Sequence, residues 1–150
     1  AKPSSAWKDE RVIGVAGDHV ACCDARGRVT VNGVALNETE YLYTDPATGK
    51  QVDPSSVAFD VVVPAGRVFM MGDHRNDSQD SRCHLDEQLD SDPAGSAAFI
   101  PVENIVGTGV AVVYPFARMH TISRPLTFES IPAGQDPPTE AVITGPKVLC

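Results

Sequence analysis

The chain is 150 residues long, 42% hydrophobic and 21% charged, with a formal net charge of −8. That length suits one domain with a single sizeable core, and the acidic balance argues against nucleic acid or an anionic membrane surface as partner. No run approaches the ~18 consecutive apolar residues of a membrane span, and the opening "AKPSSAWKDE" has no apolar core like that of a signal sequence.

In chain order, the periodicity is that of strands. "RVIGV" (11–15) is β-branched and stops at Gly17-Asp18, a turn signal, after which "HVACC" resumes. "RVTVNGVAL" (28–36) places two alternating apolar runs around Asn32-Gly33. That pair suits a hairpin turn needing positive φ at both central positions. Residues 37–56 are polar and turn-rich, and predict a long surface connection. "VAFDVVVPAGRVFMMGD" predicts two further strands, broken at Pro64-Ala65-Gly66. Residues 83–99 form an acidic excursion with room for one short helix. "NIVGTGVAVVYPF" (104–116) is apolar on both faces, which predicts a central strand. The rest is Pro-rich and without period, either extended along the domain or in part disordered. The expected fold is all-β, with short, mostly antiparallel strands and one acidic loop or short-helix excursion. Residues 1–119 form the domain, motif-bearing from about residue 10, and 120–150 a Pro-rich tail.

Cys22, Cys23, Cys83 and Cys150 allow three complete pairings. Adjacent strand residues point to opposite faces, so Cys22 and Cys23 are not expected to bond each other. No CxxC spacing suggests zinc.

The chemistry concentrates in "GDHRNDSQDSR" (72–82), a dense polar knot directly after a predicted strand. As a calcium loop it fails on spacing: alternate positions from Asp73 give Arg75, Asp77 and Gln79, with no Gly at the sixth place. A metal cluster of His74, Asp77 and His84 is opposed by Arg75 and Arg82 within its span. An ion-pair network remains, in which Asp80 and Arg82 pair in bidentate fashion and free the Ser78 hydroxyl. A solvated turn is the plain alternative, since exposed salt bridges contribute only ~0–1 kcal/mol. No metal or cofactor is called for.

Residue order then decides. "GDHRNDSQDSR" resembles the "GDNRxNSxDSR" signature of bacterial type I signal peptidases, membrane-bound endopeptidases that cut signal sequences from exported proteins. "RVIGVAGDHV" is similar to that family's "KRVIGLPGDxV", and "VTVNGVAL" to the "VNG" hairpin after it. "VVVPAGRVFMMGD" resembles the "VPxGxYFVMGD" lead-in, and "IPVENIVGTGVAVVYPFARM" resembles "VPxxNIVGRAxxIxWPFxR". The order runs from about residue 10 to 119. The Cys pair after "HVA" and the 83–99 excursion are similar to actinobacterial members.

The resemblance implies a Ser nucleophile and a Lys general base whose amine is kept neutral by apolar surroundings. It gives Ser78 the task of orienting the base, with Asp80, Arg82, Asp73 and Arg75 holding the loop. It also implies signal peptides of exported preproteins as substrates, cut after small Ala-x-Ala-like residues. The parent protein would sit at the extracytoplasmic face of the bacterial cytoplasmic membrane, through an N-terminal anchor this chain does not carry.

Two departures qualify it. The nucleophile's "S-M-x-P-T" segment has no counterpart here; Ser4 and Ser5 lack its Met and Pro. The base position holds Glu10. Lys8 shares Glu10's strand face but stands ~6–7 Å away by strand rise, so it reads as a surface lysine. His19 and His120 read as surface imidazoles, and Trp7 as packing over the domain edge. The chain alone is therefore expected to be inactive. The alternative is a catalytically dead paralogue that binds exported peptides or serves as an accessory subunit.

Overall fold

A computed structural model describes residues 8–88 and 92–145. Ser4, Ser5, Trp7 and Cys150 lie outside the described residues.

Strands with one buried face organise the molecule. β1 (Arg11–Val15) pairs antiparallel with β6 (Arg67–Met71), and β6 with β7 (Ile100–Pro101). The register runs Arg11 to Met71 and Val12 to Met70, then slips by one so that Gly14 faces Phe69. Ile13 is the extra residue, a bulge that bends β1 across the core. The second sheet has the order β10-β5-β2-β3-β4. Its strands are β2 (His19–Cys22), β3 (Val29–Val31), β4 (Val34–Ala35), β5 (Phe59–Val62) and β10 (Val142–Ile143). Every pairing within these two sheets is antiparallel.

Alternation sorts the side chains. Val20 and Cys22 of β2, Val29 and Val31 of β3, and Phe59 and Val61 of β5 are all buried. They meet Phe69 and Met71 of β6 in one core, where the Phe59, Phe69 and Phe99 rings run in a chain with centroids 5.4 and 5.8 Å apart. Each such aromatic or branched side chain, fully buried, contributes roughly 1.5–3 kcal/mol of transfer free energy. The predicted hairpin forms at Asn32-Gly33, with φ of 51° and 80°. Asn32 adds to it through its side chain, which accepts from the His19 amide and donates to Asp18.

The Pro-rich tail lies extended along the domain as far as residue 145. Gln135 donates to the Gly17 carbonyl, Ala65 to that of Pro138, and β10 closes the sheet edge beside β5. Phe128, Ile131, Ala141 and Ile143 pack against the core.

Two expectations are corrected and one is made specific. The 104–116 segment is not a central strand: only β8 (Ala111–Val112) forms, paired with β9 (His120–Thr121) in a separate two-stranded ribbon. Val106, Val110, Val113, Tyr114 and Phe116 are each at least 66% exposed. An apolar sequence records what could be buried, whereas burial needs a facing layer, and the two core sheets already cover one another. The acidic excursion is, as expected, a loop with short helical turns, and among the described residues it holds no α-helix. It makes 3-10 turns at Ser81–His84 and Ser96–Ala98, each too short to pair a full set of backbone groups. Finally, Cys22 and Cys23 are bonded to each other. Strand alternation was the argument against this, and it ceases to apply because β2 ends at Cys22, leaving Cys23 in the turn that follows. No free cysteine remains among the described residues.

Candidate active site

The knot begins where β6 runs out. Asp80 folds back so that its Oδ2 accepts from the Gly72 amide at 3.0 Å, while Oδ1 accepts from the Arg82 amide at 3.1 Å and caps the Ser81–His84 turn. The Arg82 guanidinium grips both carboxylate oxygens, Nε to Oδ1 at 2.8 Å and Nη2 to Oδ2 at 2.7 Å. Both side chains are sealed, at 2% and 0% exposure. A buried bidentate pair is tolerated because its remaining hydrogen-bond positions are filled: Arg82 also donates to the Arg75 carbonyl and to Ser55 Oγ. Burial would raise the Asp80 carboxyl, but Arg82 and the two amides hold it below the usual carboxylate range. The solvated-turn alternative is excluded.

Arg75 and Asp73 turn outward from that pair to other elements. Arg75, also fully buried, donates to the Gly72 carbonyl at 3.0 Å and to both carboxylate oxygens of Glu38. Asp73 takes a bidentate grip from Arg11 of β1, both contacts at 2.8 Å. Arg11 in turn lies 3.9 Å over the Tyr41 ring, and the Tyr41 hydroxyl donates to Glu38 Oε1. A chain of contacts results, from Asp73 through Arg11, Tyr41 and Glu38 to Arg75, which ends on the carbonyl of Gly72 next to Asp73. The 37–56 connection is thus more than a surface crossing, because it supplies Glu38 and Tyr41 and a carbonyl from Pro54 to Arg75.

Glu38 was missed in the sequence. Nothing in "LNETEYLY" separates the buried Glu38 from Glu40, which is exposed. The one local hint is Tyr41 three residues on, a spacing that suits a side-chain hydrogen bond within a turn. His74 stacks on Tyr43 with ring centroids 3.8 Å apart, and His84 pairs with Glu87. His74 and His84 are therefore engaged on separate partners.

Glu10 and Ser78 both come up against Gly72. A Cβ on Gly72 would collide with the Ser78 side chain and stand 3.0 Å from Glu10 Oε2. The bare glycine Cα is what lets the loop bring Ser78 this close to the end of β6, beside the residue that precedes β1. Glu10 is half-buried, and among the described residues its Oε2 is a buried side-chain oxygen with no hydrogen-bond partner. Burial, then the Asp80 charge, push its carboxyl above the ordinary value of 4.5, against the pull of Lys8 and Arg82. Lys8 is exposed, yet its Nζ donates to the Gln79 carbonyl at 2.9 Å, next to Ser78. An acceptor without a donor, in the field of Asp80, favours its neutral form.

The chain from residue 10 to 114 matches the family model described as "Signal peptidase, peptidase S26". The chain belongs to this family. The matched span opens at Glu10 and takes in Glu38 and the whole 72–82 cluster. The signal peptidase I of Mycobacterium tuberculosis is 41% identical over 115 residues, which are 73% of this chain and 37% of that protein. The probable signal peptidase I of Mycobacterium leprae is 34% identical over 124 residues, 73% of this chain and 40% of its own length. That of Pseudomonas aeruginosa is 35% identical over 86 residues, covering 57% and 28%. The mycobacterial matches agree with an actinobacterial-like type I signal peptidase. The chain spans little more than a third of the length of the mycobacterial relatives. Among the described residues no helix is long and apolar enough to cross a membrane.

Proposed function

We infer that this chain is catalytic-domain material of a type I signal peptidase, which cleaves signal peptides from exported preproteins after small, Ala-x-Ala-like residues. The observation that carries the reading is the approach of both Glu10 and Ser78 to Gly72, whose amide is held by the buried, Arg82-paired Asp80. In a Ser/Lys peptidase a base amine needs apolar cover, a neighbouring hydroxyl to orient it and a rigid floor. Ser78 is that hydroxyl, Asp80 and Arg82 are the floor, and Asp73 and Arg75 tie the floor to β1 and to the 37–56 connection.

Glu10 stands in the amine's place, and with Glu10 the chain does not cleave. A carboxyl there cannot become the neutral amine that takes a proton from serine. When ionised it also adds negative charge beside a developing oxyanion, costing transition-state stabilisation. The parent protein works at the extracytoplasmic face of the cytoplasmic membrane on preproteins held there.

A second reading, a non-cleaving paralogue that binds exported peptides as an accessory subunit, draws on the same Glu10. One experiment separates the two. The chain is joined to a segment bearing a Ser-Met-x-Pro nucleophile, and Glu10→Lys is compared with Glu10 on a fluorogenic Ala-x-Ala peptide. Turnover that appears only with lysine supports the peptidase reading. Peptide binding without turnover in either form supports the accessory reading. Neither turnover nor binding sinks both.

A further inference from the structure

On the opposite sheet from Glu10, the end of β2 opens into a recess of about 380 Å³ lined by Cys22, Cys23, Asp24, Thr30, Asp60 and Thr144, among others. Cys22 belongs to the core, between its strand partners Val29 and Phe59, and is 6% exposed, whereas Cys23 is exposed. Both residues of the disulfide line the recess, and Cys23 is much the more exposed of the two. Asp24 is paired with Arg28. Asp60, across the recess, has no Arg or Lys partner among the described ion pairs; it accepts from Thr144 Oγ1 at 2.6 Å and faces His19 Nε2 at 2.9 Å. Burial would raise the Asp60 carboxyl, but those two partners hold it below its usual range.

We propose that the Cys22–Cys23 disulfide is a thiol-exchange site, at which a small neutral or cationic thiol enters the recess and is captured on Cys23. The thiolate of the incoming molecule attacks Cys23 Sγ, on the more exposed residue, because exchange requires in-line approach to one sulfur. The Cys22–Cys23 bond breaks, a mixed disulfide forms on Cys23, and Cys22 leaves with the electron pair and takes a proton from water. A second thiolate attacking the mixed disulfide releases the oxidised thiol dimer and leaves Cys23 reduced. The balance is two thiols consumed, one external disulfide and one Cys22/Cys23 dithiol formed. A thiolate is costly to hold in the apolar core, so Cys22 returns slowly and the mixed disulfide persists. The Asp60 charge selects against anionic thiols, and salt screens that selection.

The test treats the full 150-residue chain with cysteamine, 2-mercaptoethanol and thioglycolate in turn, mapping adducts by peptide mass. Each rate is divided by the same thiol's rate on the urea-unfolded chain, which removes differences in intrinsic reactivity. The expected result is adduct on Cys23 and not Cys22, with normalised rates at least about threefold higher for cysteamine than for thioglycolate. Asp60→Asn should shrink that ratio towards one, while Cys23→Ser abolishes adduct formation at residues 22 and 23 in the folded chain. Purified chain with Cys22 and Cys23 as thiols, or each bonded elsewhere, overturns the proposal. So does equal labelling of both cysteines, exchange no faster than global unfolding, or a charge ratio that Asp60→Asn leaves unchanged.

Discussion

Glu38 and Arg75 form an ion pair closed off from water, with side chains 1% and 0% exposed, joining the 37–56 connection to the 72–82 loop. Arg75 spends its remaining donors on the Gly72 and Pro54 carbonyls, and Glu38 accepts from Tyr41. The pair is the brace between two segments that no strand ladder holds together.

Removing one partner strands the other as an uncompensated buried charge. Glu38→Ala or Arg75→Ala should each cost about 3–5 kcal/mol. Urea denaturation with matched m-values checks this; a loss below about 1 kcal/mol would mean the pair is solvated in solution.

Gly72→Ala tests the close approach of Ser78 and Glu10 to that glycine. The added methyl has no room beside Ser78, and overpacking of this kind costs about 1–3 kcal/mol. Combined with Ser78→Gly, which removes the colliding side chain, Gly72→Ala should cost clearly less than it does alone. Additive losses across that double-mutant cycle would show that the two residues are not in contact.

Glu10 and Asp80 should respond to pH with opposite signs. Burial and Asp80 raise Glu10 in the folded state. Its contribution is therefore fully present below its unfolded value and is lost as pH rises through the folded one. Relative to Glu10→Gln, the parent chain should lose thermal stability progressively above about pH 4.5 and then level off. Asp80 is lowered, so its contribution is present above its unfolded value and is lost as pH falls through the folded one. Asp80→Asn should thus be destabilised most near neutrality, with the gap narrowing in acid. Melting curves from pH 3 to pH 8 for the three chains decide both signs.

The exposed ribbon makes a further contrast. Tyr114→Ser with Phe116→Ser should change stability by no more than about 0.5 kcal/mol, because both rings are more than three-quarters exposed. Phe69→Ala, in the centre of the aromatic chain, should cost about 3–5 kcal/mol. A large loss from the Tyr114 and Phe116 pair would return the 104–116 segment to the core.

Local rules carried the sequence a long way. Asn32-Gly33 could be read as a hairpin because its φ demands are met or refused by those two residues alone. The alternating runs on either side of Asn32-Gly33 could be read as strands because side-chain direction in a strand is decided within a few bonds. The order of polar residues from Asp73 to Arg82 pointed to a tied loop, and Asp80 with Arg82, two apart, needed no distant partner to pair. What tertiary structure alone decided was every relation crossing the chain. Glu38 differs from Glu40 only in which one meets Arg75. "VGTGVAVVYP" is as apolar as "FDVVVPAG" yet stays exposed, because burial belongs to a surface and the layer opposite it. Cys23 bonds Cys22 because β2 stops between them, and a strand's end is set by its neighbours' hydrogen bonds. Glu10 and Ser78 approach the same glycine for the same reason: β1 and β6 pair in a register that places the residue before one beside the loop after the other. Contacts distant in sequence are selected by the free energy of the whole packed arrangement, and no short window of residues contains it.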